Sequence, residues 1–148
     1  MKITINIDDR YTETEITVKC NRVSDDIDKL LAAIRLLDMK LTGRKDGRQH
    51  ILEASDVVYI DSVDKHTFLY TSNGVYESSL KLYELEAKLA DRDFIRVNKN
   101  SLFNINHIHS IESDFNRRLI LSMIGGSKLI VSRQYAAVVK EKLEAYYD

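Results

Sequence analysis

The run FIRVNKNSLFNINHIHSI, residues 94 to 111, decides the architecture. Phe94 to Val97 reads as a short apolar strand, Asn98-Lys99-Asn100-Ser101 is a polar turn sequence, and strand character resumes from His107 to Ser113. Apolar runs this short, bounded by turn residues, point to antiparallel β structure. Downstream the pattern repeats, with strands expected at Arg118 to Ile124 and Lys128 to Val131, broken by Asp114 to Arg117 and by Gly125-Gly126. A final helix is expected from Ser132, where Ala136, Val139, Leu143 and Tyr146 recur at helical spacing.

Upstream, Ser55 to Val63 and Thr67 to Thr71 read as strands, and Ser72-Asn73-Gly74 supplies residues that tolerate positive φ in a tight hairpin. A brief helix capped by Ser78 or Ser79 follows, carrying Leu82, Leu85 and Leu89. The segment TGRKDGR, residues 42 to 48, sets two glycines among charges and reads as the chain's best domain boundary. Before it, Lys2 to Asp8 alternates with Ile3, Ile5 and Ile7 on one face, and Glu15 to Cys20 repeats the period with Ile16 and Val18. Ser24, Asp25 and Asp26 then suit the start of an amphipathic helix bearing Ile27, Leu30, Leu31, Ile34, Leu37 and Leu41, ending near Gly43. The expectation is a strand-strand-helix arm over residues 1 to 44 and a mainly β domain over 45 to 148, α+β overall.

At 148 residues, 44% hydrophobic and 30% charged, the composition is that of an ordinary globular protein. No window offers the apolar length of a membrane span, and MKITINIDDR lacks the apolar run of a secretion signal, so a cytoplasmic location is expected. Cys20 is the single cysteine, read as a buried, inert thiol rather than a redox sensor. The formal net charge is −1, so a polyanion-binding face would have to be local. Residues 92 to 133 supply such a bias: Arg92, Arg96, Lys99, Arg117, Arg118, Lys128 and Arg133 outnumber Asp93, Glu112 and Asp114 by four.

Catalytic signatures are missing. His107 and His109, with Glu112 and Asp114 nearby, are an i, i+2 pair without a metal-binding framework, and solvent-facing strand residues are the simpler reading. Ser101 and Ser132 lack a nucleophile elbow, and no glycine-rich phosphate cradle exists. Neither an enzyme, a cofactor, a metal nor a small-molecule substrate is expected. The sequence offers instead polar residues at strand ends: His66 between two apolar strands, Lys99 after Phe94 to Val97, and Arg133 after Leu129 to Ser132. Arginine can pair with guanine O6 and N7, lysine with guanine or phosphate, histidine with a base edge, and asparagine with adenine.

FIRVNKNSLFNINHIHSI, with KLIVSRQYAAVVKEKL at residues 128 to 143, resembles the core of the LytTR DNA-binding domain family. The resemblance runs from about Gly47 to the C-terminus, including the Asp56 to Ile60 strand and the Asn73-Gly74 hairpin. It implies an elongated multi-sheet β fold with short helices that enters successive major grooves with loop side chains. The groove-entering positions of the pattern fall on His66, Lys99 and Arg133, with Asn98, Asn100, Lys65 and Gln134 as neighbours touching phosphate or base edges. Arg96 and Asn104 also match the pattern, and structural roles are expected for them. Asn98 stands where many members carry histidine, and Asn100 where many carry serine, which bears on the preferred DNA sequence.

The implied function is a sequence-specific transcription regulator acting on double-stranded DNA. The alternative is a protein-protein interaction module on the same fold. Some 44 residues precede the domain, too few for the receiver domain that many members carry, so the chain is similar to stand-alone members. The implied partners are a second copy, as homodimer, and a membrane-bound inhibitor protein, with the arm as the docking element.

Overall fold

The computed structural model describes residues 1–37, 39–90 and 92–147. After a segment without helix or strand the chain forms α1 (Asp25–Leu37), then β1 (Lys40–Lys45), β2 (Arg48–Glu53), β3 (Val57–Val63), β4 (His66–Thr71) and β5 (Gly74–Ser78). Helix α2 (Leu82–Lys88) separates these from β6 (Phe94–Asn98), β7 (Ser101–Asn104), β8 (Ile108–Ser113), β9 (Leu119–Met123) and β10 (Lys128–Val131), and α3 (Arg133–Tyr147) closes the fold. All strand pairs are antiparallel. A seven-stranded sheet runs β2-β1-β5-β4-β3-β7-β6, and a three-stranded sheet runs β10-β9-β8.

Two apolar cores lie on opposite faces of the larger sheet. One collects Leu41, Ile60, Leu69, Tyr76, Phe94 and Leu102 beneath Leu36 of α1 and Leu82, Leu85 and Leu89 of the α2 region. The other packs Ile95, Val97 and Phe103 against Leu119, Leu121, Met123 and Val131 of the smaller sheet and Val139 and Leu143 of α3. Strands β6 and β7 therefore bury alternate residues in both cores, which is why Phe94-Ile95 and Leu102-Phe103 are apolar without interruption. A strand buried on both faces loses the alternating signature, and the four-residue β7 was not anticipated for that reason.

The main correction concerns the N-terminal third. Neither Lys2 to Asp8 nor Glu15 to Cys20 forms a strand, and Ile3, Ile5 and Ile7 are 79%, 79% and 92% exposed. Period-2 alternation specifies a face, but a strand also needs a partner to bond with, and neither segment is paired with a strand among the described residues. Cys20, expected buried, is exposed for the same reason.

Helix α1 forms with Asp25, Asp26 and Asp28 at its positive end, but stops at Leu37 instead of running to the glycine. Met39 N–H donates to the Leu36 carbonyl at 3.2 Å, and Leu41 lies on β1 in the first core. The expected boundary at residues 42 to 48 is a hairpin: Asp46 and Gly47 have φ of 53° and 75°, and β1 pairs with β2 on either side. An Asp-Gly pair with positive φ at both central positions matches the right-handed twist of the flanking strands. Residues 44 and 45 lie within β1, and Leu36 of α1 and Leu41 of β1 belong to the first core. Helix α2 is capped by neither serine; Lys81 precedes it without a side-chain bond, while Ser78 Oγ accepts from Leu80 N–H at 3.1 Å.

Gly43 faces this core, where an added Cβ would stand 2.6 Å from Tyr76 Cβ and 3.3 Å from Leu52 Cδ1. The first of these is not the tip of a flexible side chain, so a strand must shift. Gly43→Ala is expected to destabilise the protein by about 1–3 kcal/mol, read as a lower urea midpoint. No helix among the described residues is long and apolar enough to cross a membrane.

Candidate nucleic-acid interface

The segments carrying the candidate side chains converge at one end of the larger sheet. Asp64 and Lys65 turn β3 into β4, and Lys99 and Asn100 turn β6 into β7. Asp61 stands opposite Ser101 in the β3–β7 ladder, and Ser62 N–H donates to the Asn100 carbonyl at 2.8 Å, so the two turns share one edge. Two strand spacings separate their centres, roughly 10 Å. Ser132 N–H donates to the Val97 carbonyl at 3.2 Å, which brings Arg133 and Gln134, the first residues of α3, beside the Lys99 turn. An open depression there is lined by Asn98, Lys99, Asn100 and Gln134 together with Asp61, Ser101, Leu129 and Ser132. His66 and Lys65 lie on the far side of β3 from it.

Each turn is held differently. Asp64 and Lys65 adopt φ of 50° and 68°, a left-handed conformation that non-glycine residues take at a cost, and the β3–β4 ladder imposes it. The Lys99 turn is tied by its own side chains: Asn98 Oδ1 accepts from Asn100 N–H at 2.7 Å. Arg96 reinforces it, donating to the Asn98 carbonyl at 2.8 Å and to the Lys99 carbonyl while pairing with Glu86 at 3.2 Å. Arg96 is thereby committed to the turn's shape.

Asn104 is fully buried. It donates to the Val57 carbonyl at 3.0 Å and accepts from Asn106 N–H at 3.0 Å, bonding β7 to the start of β3. His107 donates through Nε2 to the Ser55 carbonyl at 2.8 Å, an architectural bond rather than a ligand geometry.

Lys65, Lys99 and Arg133 are exposed, and none joins an ion pair among the described residues. Carboxylates share this end of the sheet, but two of them are engaged. Asp61 accepts from Ser101 Oγ at 2.8 Å, and Glu77 contacts both His66 Nδ1 at 2.7 Å and Arg44 at 3.8 Å. Burial, with Tyr70 and Asp61 adding, raises the Tyr59 phenol above its ordinary value, so that group is uncharged at neutral pH. Glu77, Asp61 and Ser101 were not singled out from the sequence. Their contacts join residues 11 and 40 positions apart and depend on strand register, which no local motif announces.

Fold and surface define a class: an antiparallel β scaffold that carries the exposed cations Lys65 and Lys99 on turns and Arg133 at a strand-to-helix junction. Strands separate α1, α2 and α3, so no helix-turn-helix exists among the described residues. The family model described as the LytTr DNA-binding domain matches residues 47–144, and the chain belongs to that family.

An uncharacterized HTH-type transcriptional regulator of Staphylococcus aureus strain NCTC 8325 / PS 47 is 29% identical over 145 residues, covering 97% of this chain and 98% of that one. Its counterpart in strain MRSA252 is 28% identical over the same length. Among solved structures, the LytTr DNA-binding domain of a Bacillus cereus protein described as a methyl-accepting/DNA response regulator is similar, with a TM-score of 0.67 and 28% identity. That likeness covers 70% of this chain and 95% of the other. These likenesses are to DNA-binding domains and regulators rather than to enzymes.

Proposed function

We propose that this chain is a cytoplasmic, sequence-specific transcription regulator that sets the turn end of its larger sheet into the major groove of double-stranded DNA. The observation that carries the reading is the convergence of the Lys65–His66 turn, the Lys99 turn and the Arg133 junction at one end of the sheet, with all three full cations unpaired. Arg133 and Lys99 read base edges, His66 adds a third contact across β3, and Asn98, Asn100, Lys65 and Gln134 touch phosphates or flanking edges. Because Asn98 Oδ1 is occupied in its turn, the amide nitrogen is the group it offers. Helix α3 supports the arrangement: no acidic residue sits in its first turn, so its positive end is left for a phosphate.

The test is selection of bound duplexes from random DNA, followed by titration of alanine variants at His66, Lys99 and Arg133 on selected and scrambled sequences. Affinity should fall steeply with salt, because neutralised phosphates release counterions. Salt-independent, sequence-blind binding, or none, would favour the interaction-module reading, to which Asp61, Asp64 and Glu77 at the same end of the sheet lend some weight.

For the oligomer, the proposal is that residues 1–23 pair with a second copy, their alternating isoleucines being exposed and the Ile27, Leu30, Leu31 and Ile34 stripe of α1 only half-buried. Deleting residues 1–23, which leaves the core intact, should convert dimer to monomer in light scattering. An unchanged mass, dimeric or monomeric, would refute the pairing and leave the segment as the docking element for a membrane-bound inhibitor.

A further inference from the structure

Glu77 is the side chain that His66 contacts across the sheet. The two lie on neighbouring strands, β4 and β5, and share a face: Phe68 stands opposite Glu77 in the ladder, and His66 is two residues from Phe68 on the same side. His66 Nδ1 is 2.7 Å from Glu77 Oε1. The other carboxylate oxygen, Oε2, faces Arg44, which is paired with Glu77 in the β1–β5 ladder, at 3.8 Å. Arg44, Glu77 and His66 thus form a row across three strands, anchored by backbone register at both ends.

The hydrogen-bonding consequence follows from what each group can do. An ionised carboxylate accepts only, so the proton of this bond belongs to His66 Nδ1. A neutral imidazole carries one N–H, so Nε2 is then a bare acceptor, and the second partner of a histidine is dictated by the bond its first nitrogen makes. The imidazole is largely exposed, and Nε2 has no partner among the described residues.

We infer that Glu77 is a positioning residue that locks His66 in the Nδ1–H tautomer and presents Nε2 to DNA as a hydrogen-bond acceptor. In the major groove an acceptor is matched by the exocyclic amino groups of adenine N6 or cytosine N4, not by guanine O6 and N7 or thymine O4. His66 therefore selects an amino-bearing base at its contact position. This inference rests on the reading of His66 as a base contact.

Two measurements on the full chain separate the parts. Two-bond 1H–15N correlation of the imidazole, recorded without DNA where the ring is neutral, should show Nδ1 protonated in the wild type and the alternative Nε2–H form gaining in Glu77→Ala. A wild-type ring protonated at Nε2 overturns the inference whatever DNA does.

Selection from random duplexes should then show an adenine or cytosine preference at one position, reduced about tenfold in both Glu77→Ala and His66→Ala. Glu77→Gln, whose amide oxygen can accept the same proton, should keep it. If His66→Ala erases the preference and Glu77→Ala does not, the positioning role fails while the DNA contact stands. If His66→Ala changes nothing, the DNA contact itself fails. A Glu77→Gln loss as large as that of Glu77→Ala points to charge rather than tautomer and also overturns the inference.

Discussion

Arg133→Ala should weaken binding to the preferred duplex by about 1–3 kcal/mol, roughly ten- to a hundredfold, while scrambled DNA is bound nearly as before. The size follows from position. Arg133 is exposed, unpaired among the described residues, and placed at the first residue of α3 beside the Lys99 turn by the Ser132 to Val97 bond, so its planar fork is not used up by the protein. On the proposed reading, its removal would delete a bidentate pair with a guanine edge and leave a base unsatisfied. Lys99→Ala should act similarly if it reads a base. Lys65→Ala, if it touches phosphate, should weaken all sequences about equally and reduce the salt slope by about one. Titration by fluorescence anisotropy on both duplexes reads all three. Wild-type affinity and discrimination in Arg133→Ala and Lys99→Ala together would refute the three-loop reading.

Phe103→Ala should cost about 3–5 kcal/mol of folding stability, comparable with the whole margin of a small domain. Phe103 is 1% exposed, lies in the second core, and meets Tyr59 at 5.5 Å between ring centroids. It sits on β7, whose neighbouring residue Leu102 belongs to the first core, so the cavity opens where the two sheets are held together. Urea unfolding should show the loss directly. DNA affinity should fall with the folded fraction, unlike Arg133→Ala, which leaves the midpoint in place. A shift below about 1 kcal/mol would mean the site collapses around the gap.

Much of the β scaffold could be read from local patterns, because short apolar runs between turn residues leave few alternatives. Strands β3, β4, β6, β8, β9 and β10 and helices α2 and α3 fall within a few residues of expectation. The misses in the N-terminal third have one cause. Lys2 to Asp8 and Glu15 to Cys20 have strand periodicity but no paired strand among the described residues, whereas β1 has a partner and was read as the end of a helix and a linker. Periodicity describes one segment; strand formation is a property of two.

The candidate site divides the same way. His66, Lys99 and Arg133 stood out as polar residues ending apolar strands, and the resemblance to the family implied one functional set for them. The bond from Asn98 Oδ1 to Asn100 N–H was within local reach, since an asparagine two residues before a backbone amide is a turn device. Arg96 clamping that turn, Asp61 holding Ser101, and Glu77 meeting His66 were not.

The sequence by itself determined the secondary-structure class, the family and the identity of the turn residues, because each rests on residues close together in the chain. Only the tertiary structure decided which turns share an edge, which candidate cations stay unpaired among the described residues and which nitrogen of His66 meets Glu77. Those depend on the register of strands distant in sequence, where a shift of one residue would carry every side chain to the opposite face.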